Sequence, residues 1–364
     1  LPLDVNRVSK IVVVGENAIK PMTVGGGSSS LKAKYEVSPL DGIKARVGNK
    51  AEVVFVRGYV GDVMTIQDGL ESSSNLSDSR SVAELTSEAL DAAKDADVVI
   101  FVGGLNKSSG QDSESYDREG LGLPYGQDEL IAKLAKVNSN LVMVNISGNA
   151  VAMPWVKSVP SIVQGWFLGT EAGNALASIL FGDSNPSGKL PFSFYAKLED
   201  NGAHALGAYP GGETVEYKEG LFVGYRWLDK HRIKPLFSFG HGLSYTTFKF
   251  GKAVADKRVM SADETLKITI PVKNTGKVAG AEVVQLYVQD VKSSLPRPIK
   301  ELKGFNKVWL EPGEEKEVTF VLNKDDLSFF DDVKHEWVAE AGDFIAHIGN
   351  SSTEIASKVK FILK

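Results

Sequence analysis

The stretch Lys10-Ile-Val-Val-Val-Gly15 is a continuous apolar run closed by a glycine. Such a run marks a strand buried on both faces of a parallel sheet, with its carboxyl end opening on a crevice. Working outward, similar runs recur at Glu52–Val56, Asp97–Gly103, Leu141–Asn145 and Ser161–Gln164. Helical periodicity fills the gaps at Ser81–Lys94 and Gln127–Val137. Strands alternating with helices predict an α/β layer, an open and mostly parallel sheet sandwiched by helices. Ser81 stands three places before Glu84, the spacing of a capping box, and Asp128 and Glu129 place acid in the first turn of the next helix.

From about Phe181 this pattern breaks into Gly-Asp-Ser-Asn-Pro-Ser-Gly and then into loops rich in Gly, Pro and Tyr. Alternating strands begin at Leu266-Lys-Ile-Thr-Ile and continue at Val283–Val288, Glu317–Val321 and Asp343–Ile348. Turn residues separate them, among them Asn274-Thr-Gly276 and Glu311-Pro-Gly313. This pattern predicts an all-β, immunoglobulin-like sandwich. A chain of 364 residues exceeds what one core usually serves. The expected division is an α/β domain over residues 1–195, a connecting segment over 196–250 and the β-sandwich over 251–364.

Composition excludes several classes of function. A net charge of −5, and no basic run interleaved with aromatics, argue against nucleic acid as a partner. The apolar runs at Ile11–Val14 and Val98–Val102 are too short to span a bilayer, so no membrane role is expected. Without cysteine there is no thiol nucleophile and no thiolate metal site. The five histidines, at 204, 231, 241, 335 and 347, show no ligand spacing, and no metal is expected.

Three segments could carry chemistry. Val24-Gly-Gly-Gly-Ser-Ser-Ser30 lacks the spacing of a phosphate loop; its hydroxyls suit a neutral polyol, and an ordinary surface loop is the plain alternative. The loop after the third strand carries Asp112, Glu114, Asp117 and Glu119, any of which could serve as a general acid if its surroundings raised its pKa. Spacing does not choose among the four, and a solvated charge cluster is the plain alternative. Pro235–Phe248 holds His241 between glycines, where a structural role is expected because no nucleophile elbow or metal motif accompanies it.

Several stretches together resemble glycoside hydrolase family 3: Gly169-Thr-Glu-Ala-Gly-Asn-Ala-Leu-Ala, Leu180-Phe-Gly-Asp-Ser-Asn-Pro-Ser-Gly-Lys-Leu-Pro191, Tyr217-Lys-Glu-Gly-Leu-Phe-Val-Gly-Tyr-Arg226 and Pro235–Phe248. Asn274-Thr-Gly276, Leu286-Tyr-Val and Pro298–Phe305 are similar to the fibronectin type III-like domain of that family. The resemblance implies the carboxy-terminal part of a retaining β-glucosidase, exo-acting on terminal β-linked glucose without metal or organic cofactor. The family's aspartate nucleophile belongs to an amino-terminal (β/α)₈ barrel, and no Ser-Asp-Trp-like nucleophile motif occurs in this sequence. The opening Leu-Pro-Leu-Asp is similar to the region just after the family's linker from that barrel. A barrel domain, on another chain or in the rest of the same one, is therefore an expected partner.

The resemblance also selects among the carboxylates. Glu114-Ser-Tyr-Asp-Arg118 matches a Glu-Gly-x-Asp-Arg pattern in which the glutamate is the acid/base, so Glu114 is the expected catalytic residue and Asp112 the reserve. Asp117 and Arg118 are expected to brace the loop as a pair. Ser28 is expected to bind substrate, at the place of a serine that in some members reaches sugar hydroxyls or the acid/base carboxylate. The substrate implied is a β-glucoside or cello-oligosaccharide. The alternatives are a non-catalytic carbohydrate-binding or interaction module, or the same enzyme with β-xyloside or N-acetylglucosaminide specificity. Polysaccharide degradation implies a periplasmic or secreted location, and a homo-oligomer is left open.

Overall fold

A computed structural model of the chain describes residues 1–364 apart from residues 21, 24, 26, 30, 32, 62–77, 109, 115 and 116. It divides into two compact units, Leu1–Ser184 and Asn185–Lys364. The segment 196–250, expected to connect two domains, lies inside the second unit.

In the first unit five strands form one parallel sheet: β1 (Lys10–Val14), β2 (Glu52–Val56), β3 (Val98–Gly104), β4 (Leu141–Ile146) and β5 (Ser161–Gln164), in the order β2-β1-β3-β4-β5. All five fall on the apolar runs read from the sequence. Strand alternation sends Ile11 and Val13 to one face and Val12 and Val14 to the other. On the first face they pack with Ile43 and Val47 of α1 (Pro39–Val47) and with Leu176 and Leu180 of α4 (Ala172–Leu180). On the second face Val14 lies beside Ala89 of α2 (Val82–Lys94) and Leu130 of α3 (Gln127–Val137). Helices on both faces explain why Ile11–Val14 of β1 and Val98–Val102 of β3 are unbroken apolar runs, and each such side chain buried contributes about 1.5–3 kcal/mol.

The cap read at Ser81 is formed: the Ser81 hydroxyl accepts from the Glu84 N–H at 3.2 Å, and Glu84 accepts from the Ser81 N–H at 2.7 Å. Helices α1 and α4 were not among the expected elements. The former begins at Ser38-Pro39, with the Ser38 hydroxyl accepting from the Asp41 N–H at 3.1 Å and proline in the first turn.

The second unit contains a β-sandwich. One sheet holds Gly280–Asp290, Glu301–Leu310, Gly342–Gly349, Ile355–Leu363 and Val259–Met260; the other holds Leu266–Asn274, Glu315–Leu322, Phe248–Phe250 and Val254–Ala255. In Leu266–Asn274 the alternate residues Leu266, Ile268, Ile270 and Val272 are fully buried, and they meet Leu286, Phe344 and Phe361 of the facing sheet. Strands Glu301–Leu310 and Ile355–Leu363 add to the four expected. The first contains Gly304, which masks its alternation, and the second carries Ser357 among its inward positions and Ala356 and Ile362 among its outward ones, which blurs the pattern.

Two of the family-like motifs in this unit are structural. Asn274, fully buried, accepts from Thr246 Oγ1 at 2.7 Å and from the Gly276 N–H at 3.0 Å while donating to the carbonyls of Val278 and Leu310. Arg297, next to the Pro298–Phe305 motif, pairs with Asp290 at 3.2 Å and Glu301 at 2.8 Å and donates to the Leu327 carbonyl at 2.9 Å. No helix among the described residues is long and apolar enough to cross a membrane.

Candidate functional site

The carboxyl ends of β1, β3, β4 and β5 lie side by side, so the loops that follow them share one edge of the sheet. Gly15 ends β1 with φ +114°, and a Cβ there would lie 2.2 Å from the Val102 carbonyl oxygen. The glycine lets the chain turn tightly over β3. Just beyond, Glu16 is buried against Lys20, Arg57 (3.0 Å) and the Gly61 N–H (2.6 Å). A buried carboxylate with two cations and a backbone donor is fully committed to holding the loops after β1 and β2. Sequence reading missed this cluster, although the i,i+4 spacing of Glu16 and Lys20 hinted at it.

The loop after β3 is built on Tyr125. Its hydroxyl joins the side-chain amides of Asn106, at 3.1 Å, and Gln111. Gln111 in turn accepts from the Asn106 N–H at 2.8 Å, and the Asp112 N–H donates to the Asn106 carbonyl at 3.1 Å. Gln127, at the start of α3, clamps the loop's root by donating to the Gly104 carbonyl and accepting from the Gly104 N–H, both at 2.8 Å. The loop leaves the sheet on a fixed heading.

The four carboxylates have different surroundings. Asp112 is 8% exposed and accepts from the Gly148 N–H at 2.6 Å and the Asn149 amide at 2.7 Å, tying the β3 loop to the β4 loop. Glu114 is exposed, and one of its oxygens, Oε2, accepts from both the N–H (2.6 Å) and the hydroxyl of Ser28 in the glycine-rich loop. Asp117 and Glu119 are exposed and make no hydrogen bond or ion pair with a described residue. The structure thus brings the two expected site residues, Ser28 and Glu114, into direct contact across 86 positions of chain.

The Ser28 hydroxyl, and after it the Ser28 N–H, hold the Glu114 carboxyl below the usual carboxylate range. Both bonds favour the ionised form. The expected Asp117–Arg118 pair is not formed. Arg118 instead donates to the Ala150 carbonyl at 2.6 Å, and Asp112 is the charge that bears on it. Asp112 is more buried than Asp117, and the β4 loop offers a carbonyl, so the guanidinium turns inward.

Phe167, half-buried after β5, adjoins this edge: its Cε2 lies 3.5 Å from the position of a Cβ on Gly25 and 3.0 Å from one on Gly148. His241 lies in the second unit with its ring on Phe237, centroids 5.3 Å apart, and burial lowers its pKa. Among the described residues no group of three or more His, Cys, Asp or Glu could hold a metal ion. The edge therefore offers Glu114, exposed and held by the Ser28 hydroxyl and N–H, and after β5 a second exposed carboxylate, Glu171, held by the Tyr35 hydroxyl at 2.6 Å and the Asn174 amide at 2.5 Å.

Residues 1–245 match the glycosyl hydrolase family 3 C-terminal domain, and residues 282–352 match the fibronectin type III-like domain. The beta-glucosidase BoGH3A of Bacteroides ovatus is 49% identical over 364 residues, covering 99% of this chain and 48% of that protein. Thermostable beta-glucosidase B of Acetivibrio thermocellus is 41% identical, over 98% of this chain and 45% of its own length. Among solved structures, a GH3 beta-glucosidase of Bifidobacterium adolescentis superposes with a TM-score of 0.87 at 35% identity, covering 100% of this chain and 50% of that one. The beta-glucosidase of Kluyveromyces marxianus in complex with glucose gives 0.90 at 28% identity, over 100% of this chain and 60% of its own. The chain spans about half the length of the curated relatives it matches.

Proposed function

The chain belongs to glycosyl hydrolase family 3, and on that premise we propose that it is the acid/base-carrying part of a retaining β-glucosidase. Glu114 is the acid/base, Ser28 is its neighbour in the site, and the substrate is a β-glucoside or cello-oligosaccharide that loses its terminal glucose. The nucleophilic aspartate comes from a barrel domain outside these residues. We place the enzyme where such oligosaccharides are released, in the periplasm or the medium.

The observation that carries this reading is the separation of the carboxylates. Asp112 is buried and spent on two donors, whereas Glu114 is exposed at the sheet's carboxyl edge with its Oε1 free of the Ser28 clasp. In the first step protonated Glu114 gives its proton to the glycosidic oxygen as the C1–O bond breaks and the aspartate closes on C1. In the second, ionised Glu114 takes a proton from water as the water oxygen bonds to C1 and the aspartate leaves. Retention asks that the two carboxyl groups stand about 5–5.5 Å apart. Bracing of its loop at Tyr125, Gln127 and Asp112 supports a fixed position for Glu114 on this side of that spacing.

The test is Glu114→Ala in the full-length enzyme. Turnover of a glucoside with a poor leaving group is expected to fall about 10²–10⁴-fold, the usual contribution of general acid–base catalysis. Azide should restore turnover of a substrate with a good leaving group by trapping the glucosyl-enzyme as β-glucosyl azide. Wild-type turnover in Glu114→Ala would rule the assignment out.

A further inference from the structure

The contact between Ser28 and Glu114 has the wrong sense for a residue waiting to donate a proton. A general acid gains from surroundings that favour its protonated form, yet both donors from Ser28 converge on one carboxylate oxygen and favour the ionised one. Among the described residues no other charged group offsets them. Asp112 is turned to Gly148 and Asn149, Arg118 to Ala150, and Asp117 is exposed. Lys107, on the same loop, has Glu36 as the charge that bears on it. Ser28 and slight burial are the influences on the Glu114 carboxyl, and the lowered pKa follows from the first.

We propose that Ser28 is a positioning residue acting through Glu114: it holds the carboxylate ionised and aimed for activating water, and it must let go before Glu114 can protonate a leaving group. This rests on the acid/base reading above and deepens it. The clasp belongs to the second half of the reaction, in which the carboxylate accepts a proton from water while the glucosyl ester is cleaved. In the first half the proton on Glu114 removes the acceptor, and the glycosidic oxygen takes the place of Ser28 beside it. Rotation about the Ser28 Cα–Cβ bond to another staggered rotamer is enough to withdraw the hydroxyl from Glu114. The Ser28 hydroxyl is then free to turn to the sugar, which reconciles the contact seen here with the substrate-binding role expected for it.

The experiment is a carbon-detected NMR titration of the Glu114 carboxyl in the 364-residue chain and in two variants. In Ser28→Ala, which loses the hydroxyl but keeps the N–H, the midpoint is expected to move to higher pH. In Ser28→Thr, which keeps the hydroxyl, it should return toward the wild-type value. In the full-length enzyme the basic limb of kcat/KM, which reports loss of the acid form, should move in the same direction for Ser28→Ala and return for Ser28→Thr. A Glu114 midpoint unmoved in Ser28→Ala overturns the clasp, whatever azide does for Glu114→Ala. A midpoint that moves while azide fails to rescue Glu114→Ala keeps the contact and overturns the acid/base reading on which its meaning depends.

Discussion

Asp112 and Glu114 stand two positions apart on one loop, and burial gives them opposite surroundings. The buried carboxylate of Asp112 satisfies the Gly148 N–H and the Asn149 amide, joining the β3 and β4 loops beneath the site. Removing it leaves two donors without an acceptor, at a cost of about 1–3 kcal/mol. Asp112→Ala is therefore expected to lower the urea midpoint of the chain, and in the full-length enzyme to reduce turnover without rescue by azide. Azide rescue of Asp112→Ala together with an unchanged midpoint would exchange the roles of the two residues. Spacing in the sequence could not make this distinction, because burial is decided by where the β4 loop lies. The choice of Glu114 rests on resemblance, not on spacing. The Ser28–Glu114 bond joins two loops far apart in sequence, and nothing local announces it.

Helices α1 and α4 meet backbone to backbone. A Cβ on Gly173 would lie 2.0 Å from the Ser38 carbonyl oxygen, and one on Gly42 would lie 2.1 Å from the Gly173 carbonyl. The Gly173 N–H donates to the Val37 carbonyl at 3.0 Å, so the family-like Gly-Thr-Glu-Ala-Gly stretch is in part a packing motif. Gly173→Ala is expected to push α4 away from the start of α1 and destabilise the first unit by about 1–3 kcal/mol. Thermal unfolding should show this as a fall of about 2–4 °C per kcal/mol, and an unchanged midpoint would contradict the close approach. The strands of this unit were legible because burial on both faces leaves an unbroken apolar run, as in Ile11–Val14. Helices α1 and α4, of nine residues each, are too short to show many turns of helical period, and what fixes them is contact with each other.

At the scale of the whole molecule, each unit closes around its own core: the parallel sheet with its helices in one, the two facing sheets in the other. A doubly covered sheet and a sandwich were both readable from period alone, since one leaves continuous apolar runs and the other strict alternation. The boundary was less readable, because the loops from Asn185 onward carry little periodicity and join the second unit through isolated contacts such as the Phe194–Phe237 bridge. The central claim is that this chain supplies an acid/base and receives its nucleophile from elsewhere. The most direct measurement is to incubate the purified 364-residue chain with an activated 2-deoxy-2-fluoro-β-glucoside, follow release of the leaving group and take a denaturing mass spectrum. The account predicts no release and an unmodified mass; turnover, or a fluoroglucosyl adduct on this chain, would place the nucleophile within it and contradict the division of labour described above.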